Sequence, residues 1–356
     1  MNKSTSNHID QLLLDSDIFS TKRKLKDYSH NFDYSDETIL ITGAAGSIGS
    51  ELSKQLVHSN FKKIILVDVA ESPLYHLIKE LEFEDTKHVD FKILNITDEE
   101  SITYLFKTYK PTLIFHTAAY KHVPLMEQNA YEAVKLNILG TKLLADLSIE
   151  HGAKKFIFIS TDKAVNPISV MGMSKRIAEN HLNYLNTKSD TLFLTTRFGN
   201  ILGSNGSVVP LFKKQIESGQ SITITDKSIS RYFICKRKAC HLILKIATFS
   251  NPKSHVFTFN MGEPIKIIHL AKRLLSFYQN DKDHVKIHFI GLRSGEKLHE
   301  DIVSSNESLT PTEHQDILLV KQKNYPELRK IDFIELLNVT PFMSNPEIKS
   351  ILKNHL

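Results

Sequence analysis

The segment that most limits what this chain can fold into is ETILITGAAGSIGSELSKQL, residues 37 to 56. An apolar run, ETILITG, reads as a short strand, and SIGSELSKQLVHS reads as a helix. Between them stand Gly43, Gly46 and Gly49. Glycines there permit a tight turn and let the backbone approach a pyrophosphate. The helix start, at Ser47 and Ile48, then offers unpaired N–H groups and the positive end of its dipole. A glycine triplet alone says little, but the next apolar run, KKIILVDV, ends at Asp68, 19 residues after Gly49. That is about where a carboxylate accepts hydrogen bonds from an adenosine ribose. The bland alternative is a glycine turn beside a helix-capping aspartate. A carboxylate at this point also repels the 2′-phosphate of NADP, and no arginine follows in VAESPLY to neutralise it, so NAD is the expected cofactor.

The rest of the first two hundred residues keeps the same rhythm. VDFKILN, PTLIFHTAA, KKFIFIS and TLFLTTRF continue the strand series. EESITYLFKTY, NAYEAVKLNILGTKLLADLSIEHG and SKRIAENHLNYLN fall between them, with apolar residues at three- and four-residue steps. Such alternation implies an α/β fold, a doubly wound parallel sheet with helices on both faces. Residues 37–199 would form this domain, completed by a strand near 255–262 in HVFTFNMG. Residues 200–356, punctuated by Gly, Ser and Pro, would form mainly a smaller mixed α/β substrate lobe. Residues 1–36 read as a polar extension with one short amphipathic piece, IDQLLLDSDIF.

Composition excludes several classes. The chain carries a net charge of +5 with no long run of one sign, and its densest basic stretch, TKRKLK, has no interleaved aromatics. It reads as a solvated face, so no nucleic-acid partner is expected. The two cysteines, Cys235 and Cys240, have no ligand spacing, and no His/Cys/Asp/Glu cluster suggests a metal. No apolar stretch approaches the roughly 20 residues of a membrane span. A soluble, cytoplasmic chain in a reducing compartment is the expectation.

Taken together, TGAAGSIGSEL, TAAYKHVPLMEQN, NILGT, STDKAVNP, MGMSKR, RFGNILGSNGSVVPLF and GLRSGEKLHE resemble the extended short-chain dehydrogenase/reductases with a Rossmann-type fold. More narrowly, over about residues 37 to 320, they resemble the capsular-polysaccharide-type nucleotide-sugar 4,6-dehydratases. The resemblance implies that residues 1–36 are a remnant of the linker that joins a membrane-anchored part to the enzyme in longer relatives, this chain being the soluble form. It also implies a homo-oligomer.

A 4,6-dehydratase moves hydride from sugar C4 to NAD, expels water across C5 and C6, and returns the hydride to C6. It needs a base for the 4-hydroxyl, a base for C5–H and an acid for the departing 6-hydroxyl. The resemblance implies that Lys163 is the C5 base, Asp162 the acid and Lys175 the residue holding the nicotinamide ribose. The usual catalytic tyrosine is replaced by Met171, which cannot carry a proton. Thr161 is then the leading candidate for the 4-hydroxyl. Two other pairs with the tyrosine-x-x-x-lysine spacing, Tyr75/Lys79 and Tyr131/Lys135, follow the wrong strands and read as ordinary helix residues.

By the same resemblance, Ala118 and Ala119 lie at the cofactor, Lys121, His122 and Glu127 near the sugar, and Asn137 braces the active-site helix. Asn200, Ser207, Val208, Arg231 and Arg293 would hold the substrate diphosphate, and Glu296 its ribose. The family usually has proline where Ser294 stands. Methionine at position 171 goes with C5-retaining members. The expected activity is therefore an NAD-dependent, C5-retaining UDP-N-acetylglucosamine 4,6-dehydratase acting in surface-glycan or amino-sugar synthesis. A C5-inverting dehydratase or epimerase, and a catalytically silent NAD-binding scaffold, are the alternatives.

Overall fold

In a computed structural model, residues 3–16, 32–250, 252, 254–278, 285–323 and 330–356 are described. The basic stretch at 21–26 and the end of the amphipathic piece lie outside them. Six strands in the first half are β1 (Asp33–Thr42), β2 (Asn60–Asp68), β3 (Val89–Ile93), β4 (Leu113–His116), β5 (Lys155–Ile159) and β6 (Leu192–Arg197). Four short ones follow: β7 (Asn200–Leu202), β8 (Ile222–Ile224), β9 (Ser230–Arg231) and β10 (Phe233–Cys235). The last five are β11 (Val256–Phe259), β12 (Ile265–Lys266), β13 (Ile287–Phe289), β14 (Glu307–Pro311) and β15 (Ile317–Gln322).

Nine of these strands form one sheet in the order β14-β15-β11-β6-β5-β4-β1-β2-β3. From β3 to β11 every pairing is parallel. The strands are apolar throughout because both faces are covered. Along β2, Ile64 and Leu66 pack into one core while Ile65 and Val67 pack into the other. β5 does the same, with Ile157 on one side and Phe156 and Phe158 on the other. The strand order reverses between β1 and β4, which opens a crevice at their C-terminal ends, the place where such sheets hold ligands. The expected doubly wound sheet is therefore present. Residues 307–322, read from sequence as part of the smaller lobe, return to the sheet edge as an antiparallel pair, β15 joining β11.

The helices are α1 (Lys3–Leu14), α2 (Ser47–Leu56), α3 (Glu71–Glu80), α4 (Glu99–Tyr109), α5 (Val123–Gln128), α6 (Ala130–Glu132) and α7 (Thr141–Glu150). They continue with α8 (Val170–Leu185), α9 (Val208–Glu217), α10 (Lys236–Ala247), α11 (Ile267–Phe277), α12 (Phe333–Leu337) and α13 (Asn345–Asn354). The long pattern between β4 and β5 is one helical run whose middle, Ala133–Gly140, is π-helical. Such widening often accompanies functional sites.

The smaller lobe has its own core, in which α1 takes part. Ile9 and Leu13 are fully buried against Phe212, Leu270 and Leu274, and Asp10 pairs with Arg273. The N-terminal segment is thus partly an element of the second lobe rather than only a polar lead-in. At the other end of the chain, Leu336, Ile348 and Leu352 share a core with Met171, Met173 and Ile177 of α8. The C-terminal helices therefore press directly on the start of α8.

Candidate active site

The glycine turn lies at the sheet's reversal point. Gly43 follows β1 with φ at +68°, and a β-carbon there would sit 2.7 Å from the Ala118 backbone beyond β4. A β-carbon on Gly49 would sit 2.2 Å from the Gly43 carbonyl oxygen. Only glycine lets strand, turn and helix close to this distance. Gly46 caps α2 without a side chain, so the first-turn N–H groups at Ser47 and Ile48 have no side-chain cap. This cradle fits the pyrophosphate of a dinucleotide. Asp68 ends β2 and accepts backbone N–H groups from Ala45 and Ala70, both at 2.9 Å. It ties the turn to α3, as the bland alternative requires, and each carboxylate oxygen keeps acceptor capacity beyond these bonds.

Beyond β5, Ser160 to Lys163 turn into a short 3₁₀ segment, Asp162–Ala164. The Thr161 hydroxyl donates to Asp162 Oδ1 at 2.9 Å, and Lys163 Nζ donates to that same oxygen at 2.9 Å. Asp162 is buried, and its Oδ2 has no hydrogen-bond partner among the described residues. Lys163 Nζ also reaches Asn200 Oδ1 at 3.2 Å. The asparagine expected at the substrate diphosphate thus engages the lysine here. A hydroxyl, a carboxylate and an amine lie in one hydrogen-bonded row, opening on the unpartnered oxygen.

Helix α8 packs tightly on this row. A β-carbon at Gly172 would come within 2.3 Å of the Lys163 carbonyl oxygen, so glycine is required for the approach. Ser169 caps α8 through Gly172 N–H. Lys175 is buried, with Nζ 3.8 Å from the Phe158 ring centroid. Burial lowers its pKa to about 7, against the opposing pull of Glu179. Met171 is also buried, within the apolar cluster of Met126, Ala130 and the C-terminal helices. Asn137 brackets Tyr120 through both its N–H and its carbonyl, at 2.9 and 3.0 Å, and accepts nothing further from α8. Its amide instead donates to Ser174 beside Lys175 at 3.0 Å.

The expected substrate residues divide. Ala119, Lys121 and His122 follow β4 at the crevice, and Lys121 Nζ reaches Ser204 at 3.4 Å from the opposing loop. Burial lowers the pKa of Lys121, and burial together with Lys121 lowers that of His122. Asn205 N–H donates to Ser47 Oγ at 3.2 Å, bringing the 203–207 loop against the glycine cradle. Ser207 caps α9, whose first residue is Val208, and its buried hydroxyl has no partner among the described residues. Arg293 is exposed, and its backbone N–H donates to Glu296 at 3.1 Å. Arg231 is buried, with its guanidinium donating to the carbonyls of Ser230, Lys297 and Leu298. It braces the GLRSGEK loop, with Glu296 at 3.5 Å. Glu127 accepts from Val170 N–H at 2.7 Å and from Lys349 at 2.7 Å, and Ser294 reaches it at 3.2 Å. In this structure it joins α8, α13 and that loop. The Tyr75/Lys79 and Tyr131/Lys135 pairs lie on α3 and along α6 and its π-helical extension, away from the Thr161 row.

Two features escaped the sequence reading. Arg197 is buried between Glu179 and Glu307, donating to both at 2.7 to 3.1 Å, and Ser160 donates to Glu179 at 2.5 Å. The second is Glu300, whose Oε1 lies 3.9 Å from Lys163 Nζ. Burial raises its pKa, with Asp162 adding to that shift and Lys163, Arg231 and Lys297 opposing it. The Arg197–Glu307 and Lys163–Glu300 contacts join residues over a hundred positions apart and leave no periodic trace in sequence.

The family described as "Polysaccharide biosynthesis protein" matches residues 39–322. The chain is 43% identical over 273 residues to the probable polysaccharide biosynthesis protein EpsC of Bacillus subtilis, covering 76% of this chain and 46% of that protein. It therefore spans about half the length of that relative. It is 31% identical over 308 residues to an inverting UDP-N-acetylglucosamine 4,6-dehydratase of Campylobacter jejuni, covering 84% and 86% of the two chains. In three dimensions it is similar to Pen from Bacillus thuringiensis, with a TM-score of 0.74 and 27% identity over 90% of this chain and 98% of the other. The chain belongs to the polysaccharide biosynthesis protein family, whose relatives here include nucleotide-sugar dehydratases and epimerases.

Proposed function

We propose that this protein is an NAD-dependent UDP-N-acetylglucosamine 4,6-dehydratase that retains configuration at C5. The observation that carries the reading is the row Thr161–Asp162–Lys163, with Asp162 buried between the other two. A plain oxidoreductase or a C4 epimerase needs proton exchange only at the 4-hydroxyl. Two further titratable groups at the same strand end suit a reaction that also breaks C5–H and C6–O.

NAD held in the glycine cradle supplies the hydride acceptor and, later, the hydride donor. Thr161 accepts the sugar's 4-hydroxyl proton as its own passes to Asp162 Oδ1, to which it already donates. Asp162, now protonated, gives that proton to the departing 6-hydroxyl, which leaves as water. Lys163 takes the C5 proton and later returns it. Lys175 places a positive charge near the developing alkoxide in a site that excludes water. The diphosphate is assigned to the α9 N-terminus, where Ser207 is unpartnered, and to Arg293. Met171 keeps the tyrosine position apolar and leaves proton handling to the Thr161 row.

The test is incubation of the purified protein with UDP-N-acetylglucosamine, with the product read by NMR. A 4-keto-6-deoxy sugar with unchanged C5 configuration is expected. A C4 epimer in its place would establish the epimerase, and an inverted C5 would correct the stereochemistry. Lys163→Ala and Asp162→Asn each abolish turnover while NAD stays bound, and normal activity in either refutes the assigned roles.

A further inference from the structure

The dehydratase reading leaves one proton without a destination. Lys163 donates to Asp162 at 2.9 Å, as an ammonium does in an ion pair. To take a proton from C5, that ammonium must first lose one. Asp162 cannot receive it, because Asp162 is to receive the 4-hydroxyl proton and spend it on the leaving water.

Glu300 stands on the open side of the same amine. It reaches in from the loop after β13, so it belongs to the second lobe, whereas Lys163 and Asp162 belong to the sheet. Its Oε1 is 3.9 Å from Lys163 Nζ. Its side chain is almost wholly enclosed, and Oε2 is buried with no hydrogen-bond partner among the described residues. Lys297 lies 3.9 Å from that oxygen, but its Nζ donates to the Val165 carbonyl at 2.9 Å. The other charged groups acting on Glu300 are Asp162 and Arg231, and Arg231 directs its guanidinium at backbone carbonyls. A buried carboxyl with one oxygen toward an amine and the other unsatisfied is built to gain and lose a proton, since neither charge state is fully compensated.

We propose that Glu300 is the proton acceptor that makes Lys163 a base: it takes one ammonium proton once substrate is bound and returns it after product forms. This rests on the dehydratase reading and balances with it. At the start Lys163 is an ammonium and both carboxyls are ionised. The ammonium proton moves to Glu300 and the 4-hydroxyl proton moves through Thr161 to Asp162. The C5–H bond then breaks toward Lys163, and the C6–O bond breaks as Asp162 protonates the oxygen. Lys163 reprotonates C5 when the hydride returns to C6, and Glu300 gives its proton back. Because the proton exchanged between Lys163 and Glu300 never leaves the site, the supply of neutral Lys163 does not depend on bulk pH.

The experiment follows from that last point. Turnover and C5 deuterium exchange of the product are measured from pH 6 to 9 for wild type, Glu300→Gln and Glu300→Asp. In wild type both rates follow only the charge on Lys175, with no further loss at the acid end. In Glu300→Gln the ammonium must discharge to solvent, so the rate falls by about a hundredfold at the acid end and recovers toward wild type as pH rises. Glu300→Asp restores the shape of the wild-type profile at reduced rate. A loss in Glu300→Gln that is equal at every pH marks a packing role only and overturns the proposal, as does an unchanged rate.

A second measurement reads the lysine itself, whatever sugar the enzyme accepts. The pH dependence of reductive methylation at Lys163 is followed by peptide mass spectrometry in the same three proteins, without substrate and with UDP. Glu300→Gln shifts the midpoint of Lys163 labelling, and Glu300→Asp shifts it less. Identical midpoints in all three refute the coupling. A shifted midpoint with no 4-keto product from UDP-N-acetylglucosamine refutes the substrate assignment and leaves the coupling standing.

Discussion

Arg197 offers the sharpest test of how the fold holds the site. Its guanidinium donates twice from Nε and once from NH2 to Glu179, and twice from NH1 to Glu307, all between 2.7 and 3.1 Å. All three side chains are buried. Arg197→Met removes the cation and leaves two buried carboxylates facing one another. Breaking a buried ion pair from one side costs about 3–5 kcal/mol. Arg176 lies 3.5 Å from both carboxylates and stays to offset part of this, so the lower end, about 3 kcal/mol, is expected. The chain has no tryptophan, so unfolding in urea is followed by circular dichroism, with stability taken from the shift of the midpoint. The sign with pH provides a control. Burial pushes the Glu307 pKa up, but Arg197, the Ser304 N–H and Arg176 outweigh it and hold the carboxyl below its usual 4.5. A lowered folded pKa contributes stability above the unfolded value that is lost as pH falls through the folded one. Wild type therefore loses this contribution below about pH 4.5, whereas Arg197→Met gains relative stability there as its carboxylates protonate. Neutralising both acids, in Arg197→Met/Glu179→Gln/Glu307→Gln, recovers much of the loss. A loss under about 1 kcal/mol in the single variant, or no recovery in the triple one, refutes the reasoning.

Other expectations are more local. Gly49→Ala must move the Gly43 carbonyl from 2.2 Å to an ordinary contact beyond 3.4 Å, so it weakens NAD binding by at least tenfold in calorimetry; unchanged affinity contradicts the cradle. Lys175 has its pKa lowered to about 7 by burial, so between that value and 10.5 the unfolded chain binds the extra proton and stability rises with pH. Lys175→Met should accordingly stabilise the protein more at pH 6 than at pH 9, and equal gains at both would refute the shift. Met171→Tyr adds a hydroxyl inside an apolar cluster, so it destabilises the protein by about 1–3 kcal/mol without a large gain in turnover. A large gain would return the 4-hydroxyl proton to position 171.

How much of this was legible in the sequence depended on separation along the chain. The glycine turn, Asp68 and the apolar strands were readable because their partners lie within one strand–helix–strand unit, where spacing fixes geometry. The core faces of β2 and β5 were legible for the same reason, since residue alternation assigns them. The fate of residues 307–322 was not. The strands β14 and β15 are short and half-exposed, and their place at the sheet edge depends on Glu307 meeting Arg197 across 110 positions. Helix α1 was read as a short amphipathic piece of a polar extension, and its apolar side, Ile9, Leu12 and Leu13, gains a place only once α11 is beside it. Glu127 shows the opposite difficulty. The family resemblance implied a place near the sugar, while three groups from distant segments, Val170, Ser294 and Lys349, occupy its carboxylate.

The replacement of tyrosine by Met171 takes on a different meaning once these distances are known. A tyrosine at 171 would need its hydroxyl in a water-lined opening, but the position is enclosed by Met126, Ala130 and Ile177, with the C-terminal helices closing the same cluster. The chemistry such a hydroxyl would perform is available from Thr161, which already donates to Asp162. For the proposed dehydratase, what the site lacks without a tyrosine is a second way to move charge when hydride leaves C4. Burial lowers the pKa of Lys175 to about 7 and raises that of Glu300. Glu300 approaches Lys163 from the second lobe, whereas Lys175 lies on α8 over the Phe158 ring. In the proposed mechanism the proton handling absent at position 171 falls to groups from three segments of chain, and their distance in sequence is what hid the arrangement.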